Sequence, residues 1–163
     1  MPSLVGSEMC IRDRSNFEPQ LIVTSPLQRC LKLSVEVFDK PIKVENDLKE
    51  VNYGDWEGKT WGEINVEGDN LWMYQNVNNC PPNGESFSQL QNRVVGVLDR
   101  VLDAEQDRIA VVCHGGVIRS VLSHLLSTPL EKTRSFHIHY VGFVKFVKTD
   151  EGWRLAELNS GYN

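Results

Sequence analysis

The stretch Ile109-Ala110-Val111-Val112-Cys113-His114-Gly115-Gly116-Val117-Ile118 decides the fold. Its first five residues are apolar throughout, so it reads as a strand covered on both faces, as in a parallel sheet. Gly115-Gly116 ends that strand. Val117, Ile118, Val121, Leu122, Leu125 and Leu126 then recur at the spacing of an amphipathic helix. A strand that runs through a glycine turn into a helix is the building unit of an α/β protein.

The same unit stands earlier in the chain. Leu21-Ile22-Val23-Thr24 is a short apolar run bounded by Ser25-Pro26. Ser25 suits an N-cap and Pro26 a first helical turn. Leu27, Leu31, Val35 and Phe38 follow as one apolar face. Ile42 and Val44 alternate with charged neighbours, as a short strand does. Leu48 to Gly58 reads as an irregular loop, and Trp61 to Asn79 as short helices. After the turn Pro81-Pro82-Asn83-Gly84, Ser86 and Gln89 form a capping box. Phe87, Leu90, Val94, Val97 or Leu98, and Val101 line the long helix that follows, to about Asp103. Phe143 to Val147 and Trp153 to Leu158 close the chain as strands around Asp150-Glu151-Gly152. The order β-α-β-loop-α-β-α-β-β predicts an α/β protein of three layers, α/β/α, with a mostly parallel sheet and an antiparallel edge.

At 163 residues the chain has the length of one domain. Its 40% hydrophobic and 24% charged residues are those of a soluble globular protein. A net charge of −5 argues against a nucleic-acid surface, which would be basic, yet leaves room for a local basic pocket. No apolar run approaches a membrane span, and the N-terminus lacks the basic start and apolar stretch of a signal peptide. Cys10, Cys30, Cys80 and Cys113 include no CxxC pair, so they read as free thiols of a cytoplasmic protein. No spacing among Cys and His matches a zinc pattern, and no metal or other cofactor is expected.

In open α/β sheets, ligands bind beyond the carboxyl ends of the strands. Two such ends carry chemistry. Arg29 lies in the first turn of the helix after Thr24, and His114 leaves the strand at Cys113 into the turn Gly115-Gly116. An arginine fork, an imidazole and a helix N-terminus suit a phosphate. Alone, Arg29 would be a solvated side chain and His114 a structural histidine. Glu50 and Glu57 flank Gly54, either as surface acids or as one general acid beside a phosphate ester. Cys113 and His114 point to opposite faces, which excludes a side-by-side Cys–His nucleophile. His137 and His139 share a face if extended, but no third metal ligand accompanies them.

Together these pieces resemble the histidine phosphatase superfamily, also called phosphoglycerate mutase-like. The resemblance rests on four motifs in order: Thr24-Ser25-Pro26-Leu27-Gln28-Arg29-Cys30; Leu48-Lys49-Glu50 with Tyr53-Gly54-Asp55-Trp56-Glu57-Gly58; Pro82-Asn83-Gly84-Glu85-Ser86-Phe87; and His114-Gly115-Gly116-Val117-Ile118-Arg119. The string Gly54-Asp55-Trp56-Glu57-Gly58-Lys59-Thr60-Trp61 looks most like the α-ribazole phosphatase branch of cobalamin assembly. The resemblance implies a phosphomonoesterase that forms a phosphohistidine on a small phosphorylated substrate, without metal. It implies that Arg29, His114 and Gly115 bind the phosphate and that Glu50 is the acid that protonates the leaving oxygen. It leaves the oligomeric state open. A phosphoglycerate mutase would share this site, and so would a non-catalytic module that binds a phosphorylated ligand.

One motif of the family is missing. No Arg-His-Gly, the unit that supplies the nucleophile, occurs in the chain; its histidines are His114, His124, His137 and His139. The expected sheet therefore lacks its first, central strand unit, and the chain is expected to be inactive as it stands. Residues 1–14 include Leu4-Val5-Gly6-Ser7-Glu8-Met9-Cys10-Ile11-Arg12-Asp13-Arg14, which looks like translated sequencing adapter. They are read as foreign to the domain, which then comprises residues 15–163 of a longer native protein.

Overall fold

A computed structural model of the chain describes residues 17–64 and 76–160. The elements are β1 (Leu21–Thr24), α1 (Gln28–Val37), β2 (Ile42–Val44), two 3-10 turns (Asn46–Leu48 and Gly54–Trp56), α2 (Trp61–Ile64), α3 (Phe87–Leu102), β3 (Ile109–Val112), α4 (Gly115–Leu125), a 3-10 segment (Leu130–Ser135), β4 (Phe143–Thr149) and β5 (Gly152–Ser160). The stretch 1–14 and most of the helical region foreseen after Trp61 lie outside the described residues.

β1 is the middle strand of a parallel ladder ordered β2-β1-β3, with Ile22 opposite both Ile42 and Ala110. This central position explains why Ile22, Val23 and Thr24 are completely buried. β4 and β5 pair antiparallel, with Phe146 opposite Leu155. The fold is thus α/β with a mostly parallel sheet and an antiparallel pair, and among the described residues that pair forms its own ladder. β3 is less covered than its apolar sequence suggests, for Val111 is 39% exposed. Among the described residues β3 ends the parallel ladder on one side, and an edge strand is covered only in part.

The core forms along α3. Ser86 accepts from the Gln89 N–H at 3.2 Å, and Gln89 Oε1 accepts from the Ser86 N–H at 2.8 Å, completing the capping box. Phe87, Leu90, Val94, Val97 and Val101 then pack against Val23, Leu48, Val51, Val117 and Leu130. Full burial of such a side chain stabilises by about 1.5–3 kcal/mol. Among the described residues no helix is long and apolar enough to cross a membrane.

α1 departs from its apolar pattern. It starts at Gln28 after the N-cap residue Leu27, and its buried residues are Cys30 and Ser34, while Val35 is 69% exposed. The reason is polar. β1 ends in buried Thr24 and Ser25, and Ser34 Oγ lies 2.9 Å from Thr24 Oγ1 while donating to the Cys30 carbonyl at 2.7 Å. A helix that covers buried hydroxyls turns toward them the groups able to pair with them.

Two loops cross beside the sheet, and glycine makes the crossing possible. Gly54 has φ +54°, and a Cβ there would collide with the backbone of Pro82 and Gly84. A Cβ on Gly84 would come within 2.6 Å of the Asn52 carbonyl oxygen. The crossing is tied by the Asp55 N–H donating to the Pro82 carbonyl at 2.9 Å, and by Asn83 Nδ2 donating to the Asp55 carboxylate at 3.1 Å. Because the obstructing atoms are backbone, Gly84→Ala is expected to lower stability by about 2 kcal/mol in urea unfolding. Gly96→Ala, inside α3 with only ordinary contacts, is expected to raise it by about 0.5–1 kcal/mol. Equal stability of Gly84→Ala and the parent would refute the crossing.

Candidate active site

His114 closes β3 and is the N-cap residue of α4, with φ −125° and ψ 166°. It is only 6% exposed, and both ring nitrogens are engaged. Arg29 Nε donates to His114 Nδ1 at 3.1 Å. Arginine has no acceptor, so Nδ1 is the bare nitrogen and the proton sits on Nε2. From there it is donated to Ser25 Oγ at 2.7 Å. Ser25 Oγ also accepts from the Leu27 N–H at 3.3 Å, so this hydroxyl serves the histidine and the start of α1 together. Burial, then the positive charges of Arg29 and Arg93, lower the His114 pKa to about 4. The imidazole is neutral at pH 7.

Arg29 and His114 stand 85 residues apart, and the pairing of β1 with β3 brings their strand ends together. Among the described residues the Arg29 Nη groups and the Gly115 N–H make no hydrogen bond, which leaves them open to an anion. The N-terminus of α4 adds partial positive charge at the same place.

Glu50 reaches the same helix end. Its Oε2 accepts from the Gly116 N–H at 3.3 Å, and its Oε1 from the Val51 N–H at 3.0 Å. Its loop is gripped by Arg93 of α3. Arg93 Nη1 donates to the carbonyls of Asp47 at 2.5 Å and Lys49 at 2.8 Å, and Nη2 to that of Glu50 at 3.1 Å. The Glu85 carboxylate closes the fork, accepting from Nη2 at 2.5 Å and from Nε at 3.1 Å. Glu57 instead accepts from the Tyr53 N–H at 3.0 Å and closes the exposed turn around Gly54.

Three further groups stand near the site: Cys30 and Cys113, read in the sequence as free thiols, and Arg93, which the sequence reading did not single out. Cys30 Sγ lies 3.6 Å from His114 Nε2 and 3.8 Å from Nδ1, and burial raises its pKa. Cys113 is pushed up to about 12 by burial and by the nearby Cys30 and Glu50. Both are protonated thiols at neutral pH. Arg93 is the third, and its one sequence signal is its place directly before Val94, on the border of the apolar stripe of α3. The other histidines are engaged elsewhere. His124 Nε2 lies 3.8 Å from Asp99, and His137 and His139 meet edge to face at 4.5 Å. No third metal ligand joins that pair among the described residues.

The lowered His114 pKa fixes a pH dependence. As pH falls, the unfolded chain takes up this proton near 6.5 and the folded chain only near 4. Stability is therefore lost as pH drops from 6.5 to 4, by up to about 3 kcal/mol. Urea unfolding at pH 7 and pH 4.5 should show a smaller loss for His114→Asn than for the parent; equal losses would count against the shift.

Comparison with known proteins matches this arrangement to one family. The family model for the histidine phosphatase superfamily (branch 1) covers residues 10–161. A glucosyl-3-phosphoglycerate phosphatase of Mycolicibacterium vanbaalenii is 28% identical over 127 residues, covering 70% of this chain and 56% of that protein. An adenosylcobalamin/alpha-ribazole phosphatase of Salmonella typhimurium is 29% identical over 125 residues, covering 72% and 61%. The chain thus spans little more than half the length of these relatives. The native structure of a mycobacterial glucosyl-3-phosphoglycerate phosphatase shares the fold, with a TM-score of 0.85 at 22% identity over 97% of this chain and 86% of that one. A family match along almost the whole chain, on a sheet whose strand ends join Arg29 to His114, makes this protein a member of the histidine phosphatase superfamily (branch 1).

Proposed function

We propose that the chain carries the phosphate-binding and acid groups of a phosphomonoesterase that works through a phosphohistidine. The observation that carries the reading is the contact of Arg29 with His114 at the N-terminus of α4, with Glu50 on the same helix end. The free Arg29 Nη groups and the Gly115 N–H take equatorial oxygens of the phosphate. Neutral His114 donates a hydrogen bond from its Nε2–H to the same anion in exchange for the one it makes to Ser25. The Glu50 carboxyl hands a proton to the leaving oxygen, and the cationic side chain neutralises the phosphate without metal. The substrate is a small phosphorylated molecule of the α-ribazole 5′-phosphate kind, in cobalamin assembly. The string from Gly54 to Trp61 and the Salmonella relative support that choice. Both named relatives are phosphatases, which favours hydrolysis over a mutase reaction. The free thiols Cys30, Cys80 and Cys113 suit the cytoplasm.

A specific observation favours a second reading, in which the protein binds a phosphorylated ligand without turnover. The chain holds no Arg-His-Gly. His124, ten residues beyond His114, stands roughly 15 Å along α4 from it. In both readings the chain as it stands binds phosphate and does not hydrolyse esters. Titration calorimetry should detect inorganic phosphate at pH 7, and Arg29→Ala should weaken binding about tenfold or more. Hydrolysis of p-nitrophenyl phosphate should stay at background. Turnover abolished by His114→Ala would overturn the inactivity, and phosphate binding indifferent to Arg29→Ala would remove the site. An Arg-His-Gly upstream of codon 15 in the source gene would decide for the enzyme over the binding module.

A further inference from the structure

We infer that Gly116 is a positioning residue, whose missing side chain lets the Glu50 carboxyl dock against the first turn of α4. The meaning of Glu50 as an acid rests on the phosphatase reading, whereas the contact itself does not.

A helix needs acceptors for its first N–H groups, usually from the residue at its N-cap. That residue here is His114, whose imidazole is committed to Arg29 and Ser25, and α4 has no side-chain cap bond of its own. The Glu50 carboxylate, 66 residues earlier in the chain, takes that place through the Gly116 N–H. Negative charge at a helix N-terminus is favourable, which holds the carboxylate there.

Space for it exists only because residue 116 is glycine. A Cβ on Gly116 would overlap Glu50 Oε1, lie 3.4 Å from Glu50 Cδ and come within 3.0 Å of Leu90 Cδ2, a fully buried side chain. A Cβ on Gly115 would meet nothing within 4 Å. The two adjacent glycines therefore differ in purpose: the first leaves a backbone donor open, and the second makes room for the acid. The nearest obstructing atom is the tip of a flexible side chain. Gly116→Ala thus displaces Glu50 and leaves the helix in place. The titratable and charged groups around Glu50 are the thiols of Cys30 on α1 and Cys113 after β3, Arg93 on α3, and Asp47, Lys49 and Glu85, which line the same cleft.

Nitrogen-15 spectra of the chain, recorded across pH 3 to 8, test the contact. The amide of Gly116 is expected to follow the ionisation of Glu50, and Glu50→Gln is expected to abolish that titration while leaving the titration of His114 in place. In Gly116→Ala the spectrum should stay dispersed and the amide at position 116 should no longer follow Glu50. The inference is overturned if the Gly116 titration survives Glu50→Gln, if the position 116 amide still follows Glu50 in Gly116→Ala, or if Gly116→Ala does not fold. Inorganic phosphate added to the parent sample tests the functional reading separately. If it moves neither the Arg29 nor the Gly115 resonances, the phosphate site fails while the Gly116 result stands.

Discussion

The guanidinium of Arg93 is the constraint on which the site depends. It is rooted in the core helix α3, and its fork spans three backbone carbonyls and one carboxylate. Those carbonyls, of Asp47, Lys49 and Glu50, belong to the turn that carries Glu50 and is anchored by buried Leu48 and Val51. Glu85 does more than balance the charge, since its Oε1 also accepts from the Asn52 N–H at 2.9 Å and ties the crossing loop to the same knot. The pair is part-buried, its side chains 21% and 18% exposed, so losing one partner costs about 1.5–3 kcal/mol, the worth of hydrogen bonds to a charged group. Lysine offers point donors and no fork, so it does not substitute for arginine here.

A polar seam runs through an otherwise apolar interior. Thr24, Ser25 and His114 at the carboxyl ends of β1 and β3, and Ser34 of α1 packed on them, are all buried, and each is hydrogen-bonded. Fully paired, a network of this kind fixes one geometry, since every alternative leaves a donor or acceptor orphaned. The seam explains why the imidazole holds one tautomer, and why α1 turns Cys30 and Ser34 inward instead of its leucines.

What could be read in the sequence divides along the same line. The stripe of α3 and its Ser86–Gln89 cap were legible because the information is local: neighbours within one turn determine both. The strand ends that carry Arg29 and His114 were legible because apolar runs bounded by Ser-Pro or Gly-Gly are local as well. The inward face of α1 was hidden, since it answers to hydroxyls on another strand. Arg93 was hidden because, Glu85 apart, its acceptors are backbone carbonyls, which every residue has. The distinction between Gly115 and Gly116 depends on a carboxylate that only the folded chain brings there. The cover over β3 was overestimated because composition alone does not say which strand ends a ladder.

The chain separation of the site has a kinetic consequence. The β4–β5 hairpin and α3 are built from near neighbours, and contacts of that kind form early. Arg29 and His114 meet only after β1 pairs with β3, across a loop of more than eighty residues. Closing a loop of that length costs entropy that nothing repays until the ladder zips. The Arg29–His114 contact is therefore a late product of folding, and a chain can hold most of its helix and its hairpin while that contact is still unmade.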